Sequence, residues 1–372
     1  MPPKLRKYLT FAIVAVVLAF IVYELGHSGA LKNFDWRMVA ESVRNANISL
    51  LLLAVVAIYV CYAIRALRWM QFSHALGQTH FGNVYKATLM GFTCLFLLGR
   101  PGEPIRPVLI AKKDSLPVVG MFGVFFLERI SDIAATAVLA GVALALFQQG
   151  GLVNERTMHL LVFARSVGRA LLYGLAVVIV LLIYFRLQGA RLLTNFLRNP
   201  RWRTGWREKI VVLIEGFSEG LQAIRTWKDL SLLTAYTALH WILVAFVYLW
   251  VLRAFGGKLA TLRFTDALMV LAFAMVGSVA QLPGVGGGAQ ASTILVLTLI
   301  FGVEHEPAVA ASVVVWLISF ASVCLAGIPL MLSEGWSMGD LRRMVKEQER
   351  ASEAGLMDGT ERQAARSEES SR

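Results

Sequence analysis

LLGRPGEPIRPVLIAKK, residues 97–113, sets prolines, glycine and ionisable side chains where an apolar segment would otherwise continue. Upstream, residues 87–98 are almost wholly apolar but only about twelve long, short of the roughly twenty helical residues that cross a hydrocarbon core. This piece is therefore expected to enter the membrane without spanning it. Pro101, Pro104 and Pro107 lack amide donors and disfavour helix at the residue before them, so irregular backbone is expected from 99 to 107. At membrane depth such backbone is tolerated only inside protein or along a wet cavity. Arg100, Glu103 and Arg106, spaced three apart, then read as an internal polar site. The competing reading is a cytoplasmic loop with snorkelling arginines.

Composition fixes the setting. Of 372 residues, 57% are hydrophobic and 16% charged, and the mean hydropathy is +0.64. A soluble domain carries about a quarter charged residues, so this is a polytopic all-α membrane protein. One membrane domain, residues 1–333, and a polar, disordered cytoplasmic tail, residues 334–372, make the simplest division. The net charge of +12 fits cytoplasmic loops and anionic lipid head groups better than nucleic acid. Cys61, Cys94 and Cys324 lie far apart in apolar runs, which suits neither a disulfide framework nor a zinc site.

Lys4, Arg6 and Lys7 precede an uncharged run at 8–23, read as a retained first helix; a signal peptide cleaved after Ser28-Gly29-Ala30 is the alternative. Residues 48–64 form the next span. It ends in IRALRW, where Arg65, Arg68 and Trp69 suit an anchor at the cytoplasmic surface. Residues 116–147 are long enough to tilt or project. Within them, LERISD puts Glu128 and Asp132 four apart on one face and Arg129 three from Asp132, a spacing that allows pairing. A span at 170–185 leads into a basic stretch from Arg186 to Lys209, and residues 209–227 have the spacing of an amphipathic helix. His240 falls in a span at 230–252 and is read as a helix-to-helix hydrogen-bonding residue.

A second break follows. Apolar residues 264–282 run into PGVGGGAQ at 283–290, where Gly284, Gly286, Gly287 and Gly288 permit close approach of a ligand or helix. The segment lacks the GK[ST] ending of a nucleotide-binding loop. Another short apolar piece, 294–303, precedes a last span at 307–332. Two interrupted elements, one in each half, are the pattern of a transporter's central site. About six full spans, starting near residues 8, 48, 116, 170, 230 and 307, would leave both termini in the cytoplasm. The first re-entrant element would then open from the cytoplasm and the second from outside.

RALRW at 65–69, GRPGEPIRP at 99–107, LERISD at 127–132 and LPGVGGGAQ at 282–290 together resemble the lysylphosphatidylglycerol synthase transmembrane-region family of flippase-like proteins. The resemblance implies a helical domain of the cell membrane that moves a polar-headed lipid, with a phosphate-bearing head, between leaflets. It implies Arg100, Glu103, Arg106, Glu128, Arg129, Asp132, Gly284, Gly286, Gly287 and Gln290 as substrate-binding positions. Many members resemble PGGxGxRE, whereas this chain has Ala289 and Gln290, and Trp316 stands where others carry Arg. The aminoacyl-transferase domain of the synthases is absent from the sequence after residue 332. Transport is thus the expected function. The alternatives are an accessory subunit anchoring a lipid- or envelope-modifying partner, or a membrane-embedded lipid-modifying enzyme. No HExxH, DxxD or GxSxG pattern supports catalysis, although Glu103 with Asp132 could hold a divalent cation. No cofactor, catalytic residue or metal ligand is expected. The expected partners are a polar-headed lipid, anionic lipids at the basic loop, and a second copy or membrane partner.

Overall fold

The computed structural model describes residues 35–99, 102–146, 162, 166, 169, 173, 226–278, 281–282 and 286–335. The expected spans at 8–23 and 170–185, the basic stretch, the amphipathic helix at 209–227 and the tail from 336 onward lie outside them, apart from Tyr173, Thr226 and Trp227. Helices dominate: α1 Trp36–Arg44, α2 Ile48–Ser73, α3 Phe81–Leu98, α4 Ile105–Lys113, α5 Val118–Leu146 and α6 Trp227–Ala254. There follow α7 Gly257–Ala260, α8 Phe264–Gly277, α9 Gly288–Leu299, α10 His305–Trp316 and α11 Val323–Ser333. Among the described residues, four stretches are long and apolar enough to cross a membrane: α2, α3, Lys228–Ala254 and His305–Ser333.

Local chemistry sets the ends of these helices. Asn47 caps α2, its side chain accepting from Ser49 N and Leu50 N. Thr226 and Asp229 form a reciprocal capping box at α6. Between α10 and α11 the helix widens into a π turn, Leu317–Ala321, closed by Ser322 N donating to Leu317 O at 2.8 Å. Two tyrosines of α2 meet carbonyls there: Tyr59 Oη donates to Ser322 O at 2.7 Å and Tyr62 Oη to Ser319 O at 3.2 Å.

The first interruption is a helical hairpin. α3 begins six residues before the expected apolar piece and has 18 residues, about 27 Å at 1.5 Å per residue, so that, against the expectation of a piece too short to span, it is long and apolar enough to cross a membrane. Its polar start is held by Asp114, which follows α4: His80 N donates to Asp114 Oδ2 at 3.2 Å and Asn83 Nδ2 to Asp114 Oδ1 at 2.7 Å. Both mouths of the hairpin thus lie at one face, as a re-entrant element requires. Gly99, at φ 74°, ends α3. The irregular backbone is shorter than expected. Helix resumes at Ile105, because Pro107 falls in the first turn of α4, where no intrahelical amide donor is needed. Gly91 lets α4 approach, since a β-carbon there would sit 2.6 Å from Arg106 Cβ.

The second interruption is also a hairpin. α8 and α9 pack side by side, joined by a two-residue antiparallel pair, β1 Gln281–Leu282 with β2 Gly286–Gly287. Gly287, at φ 128°, caps α9. Gly277 has no room for a β-carbon beside Gly288 O and Ser292. Lys258 Nζ, ahead of α8, donates to Gly302 O, beyond α9, at 2.6 Å, so this hairpin too has both mouths at one face.

The two faces are opposite ones. α2 and α6 pack along each other, tied at one end by Gln71 Nε2 donating to Asp229 Oδ1 at 3.0 Å and at the other by Asn47 N donating to Ala254 O at 2.8 Å. The first hairpin opens beside Gln71 and Asp229, where Lys113 also pairs with Glu334 after α11. The second opens beside Ala254. Glu334, read as the first residue of the tail, is therefore tied to the helical domain.

Candidate functional site

Glu128 on α5 is the hub of a buried ionic cluster. Its side chain is fully buried and both its oxygens face guanidinium groups. Oε1 accepts from Arg65 Nη1 at 3.1 Å, Arg68 Nη2 at 3.0 Å and Arg106 Nη1 at 3.3 Å. Oε2 accepts from Arg129 Nη2 at 3.3 Å and, in a closer contact, from Arg106 Nη2. One turn on, Asp132 takes Arg68 Nη2 at 2.8 Å, Arg65 Nη1 at 3.2 Å and Trp241 Nε1 at 3.3 Å. The i, i+4 spacing aims both carboxylates at the same two arginines of α2.

This arrangement corrects the reading of IRALRW as a surface anchor. α2 runs nine residues beyond the expected end of its span, and Arg65 and Arg68 are 7% and 0% exposed. Their charges stay inside because carboxylates of another helix neutralise them, whereas a buried unpaired charge would cost several kcal/mol. Trp69 is buried as well, its ring lying 4.5 Å from the Arg106 guanidinium as a cation–π partner. α6 adds Thr237, accepting from Arg68 Nη1 at 3.3 Å, and His240, whose Nε2 lies 2.9 Å from Arg65 Nη2. Arginine can only donate, so Nε2 accepts and the ring proton sits on Nδ1, which has no partner among the described residues.

Arg106 has both terminal nitrogens on Glu128, not on its sequence neighbour Glu103, and is 3% exposed. Here α4 starts only at Ile105, and Glu103 belongs to the turn before it. Glu103 faces Arg129 at 3.9 Å. Of the four guanidiniums, that of Arg129 is the most open, 32% exposed. Its Nε has no hydrogen-bond partner among the described residues. Gly91, Phe92, Leu95, Glu103, Arg106, Phe125 and Arg129 together line a narrow recess between the first hairpin and α5. Glu103 and Asp132, weighed as cation ligands, lie on either side of Arg129, which reaches Asp132 Oδ2 at 3.8 Å.

Arg100 and Gly284 lie outside the described residues. Gly286 and Gly287 form β2, opposite Leu282 and Gln281, and Gly287 N donates to Gln290 Oε1 at 2.6 Å. The neutral amide of Gln290 serves there as an acceptor, a role a carboxylate would also fill.

The chain matches, over residues 8–327, the family described as Lysylphosphatidylglycerol synthase TM region. No curated protein matches it.

Proposed function

The chain belongs to the lysylphosphatidylglycerol synthase TM-region family, and from that premise we propose that it moves a phosphate-headed lipid between the leaflets of the cell membrane. The observation that carries this reading is a buried arginine cluster, partly open through Arg129, beside a helical hairpin that has an oppositely facing counterpart. Opposed broken elements around a central polar site are the arrangement alternating access uses. Guanidinium forks match phosphate oxygens bidentately, and in a partly dehydrated recess such bonds are stronger than on a wet loop. Arg129 is the proposed phosphate contact. Glu128 holds the other arginines as a rigid wall, and Glu103 orients Arg129 from the rim. We read this chemistry as binding and passage rather than catalysis. Anionic lipids at the basic segment between 186 and 209 are proposed as surface partners.

Reconstitution into vesicles containing a head-labelled phospholipid tests the reading. A membrane-impermeant quencher should reach label from the inner leaflet as well as the outer one, and faster than in protein-free vesicles. Quenching limited to the outer leaflet in both preparations would overturn it.

A further inference from the structure

Nine residues, Trp36–Arg44, form α1, and none of them is buried. Asp35 starts the helix by accepting from Arg37 N at 2.8 Å, and Asn45 N ends it by donating to Glu41 O at 2.9 Å. At about 100° per residue, Trp36, Val39, Ala40 and Val43 form an apolar stripe, while Arg37, Glu41 and Arg44 fall on another side. The helix packs against α10, and its two half-buried residues, Val39 and Ser42, mark the side it turns there. The rest of the stripe stays open, with Trp36 72% and Val43 44% exposed. A helix this short is marginal in water on its own, so its apolar side needs cover.

We propose that the cover is the lipid surface: α1 lies in the head-group layer as an interfacial helix, at the face where the second hairpin opens. Continuity favours lipid over protein. Only Asn45, Ala46 and Asn47 separate α1 from α2, and the exposed Ile48, Leu52, Leu53 and Val56 begin the lipid-facing side of that span. Asn47 N donates to Ala254 O, so α1 adjoins the ends of two spans, where acyl chains give way to head groups. An indole suits that depth. A helix that is strongly amphipathic but of low overall hydrophobicity lies there rather than crosses. The stripe falls between the side packed on α10 and the two cations, which leaves Arg37 and Arg44 to meet lipid phosphates as the stripe enters the acyl boundary. α10 begins at His305, three residues after Gly302, which accepts from Lys258 at the second mouth. The anchor thus sets the height of that mouth relative to the membrane surface. It requires no transport activity, so the vesicle assay above and the test below fail independently.

Spin labelling of the full chain in vesicles of phosphatidylglycerol and phosphatidylcholine provides the test. Ala40→Cys, Val43→Cys and Glu41→Cys, each in a Cys324→Ala background, carry a nitroxide whose collisions with oxygen and with a water-soluble nickel chelate are compared. Oxygen concentrates among acyl chains, the chelate in water. Oxygen collisions should dominate at Ala40 and Val43 and chelate collisions at Glu41, so that the oxygen-to-chelate ratio is several-fold higher on the stripe. All three positions are exposed, where substitutions cost little stability; Trp36→Cys replaces either stripe variant that does not accumulate. Chelate collisions dominant at all three positions would place α1 in water and overturn the proposal. Few collisions of either kind at Ala40 and Val43 would mean that protein, whether another segment of the chain or a second copy, covers the stripe, and would overturn it too.

Discussion

Arg106 and Arg129 are both guanidiniums on Glu128 Oε2, yet they are built for different tasks. Arg106 has both terminal nitrogens on one carboxylate and its flat face against Trp69. A lysine ammonium can reproduce neither the fork nor the stacking. Arg106→Lys should therefore cost about 1.5–3 kcal/mol of stability, the range for a hydrogen bond to a charged group. Arg129 is about a third exposed, so Arg129→Lys should cost less than about 1 kcal/mol while weakening lipid binding. Reversible unfolding in mild detergent, set beside lipid titration, checks the pair. Equal losses of stability would show that the two arginines share one structural role. LERISD was legible as a pairing motif from its spacing alone. Its partners on α2 were not, because Arg65 lies 63 residues from Glu128 and an arginine pair near the end of an apolar run looks the same at an interface as inside. The available clue was charge balance: Glu128 and Asp132, deep in a long apolar helix, required cations from elsewhere.

At the scale of elements, the two interruptions were visible in the sequence because proline and glycine act locally. The extent of each helix was not. α3 gained a turn and a half because Asp114, beyond α4, satisfies Asn83, a contact no window of sequence can display. Proline marked the break correctly but overstated its length, since a first-turn Pro107 is compatible with helix. Small residues then set how closely the pieces pack. Gly277 faces the Gly288 carbonyl and Ser292 across the second hairpin, so Gly277→Val must push α8 from α9. Overpacking of this kind costs about 1–3 kcal/mol. The expected result is faster protease cleavage between 278 and 286 with the ionic cluster still intact, the latter read from an unchanged contrast between Arg106→Lys and Arg129→Lys. A cleavage rate equal to that of the parent would show that the hairpin tolerates separation there.

Across the whole molecule, the decisive property is that the hairpins open at opposite faces, and the sequence supplies an orientation for them. Lys112 and Lys113 end α4 at the face where Glu334 and Asp229 also lie, and the basic stretch from Arg186 leads toward Trp227 at the start of α6. Lysine and arginine concentrate in cytoplasmic loops, from which we predict that the mouth of the first hairpin faces the inside of the cell. The mouth of the second, where Lys258 contacts Gly302, is then predicted to face outside. His80 and Lys258, both exposed, are suitable reporters. The native thiols interfere little, since Cys61 and Cys94 are buried and Cys324, only partly covered, is removed by Cys324→Ala. In that background a membrane-impermeant maleimide added to intact cells should label Lys258→Cys and leave His80→Cys unmodified until the cells are opened. Labelling of His80→Cys alone from outside would invert the orientation while leaving the opposed hairpins in place. Labelling of both from outside would mean that the two mouths share a face of the membrane, and the transport reading would lose its geometric basis.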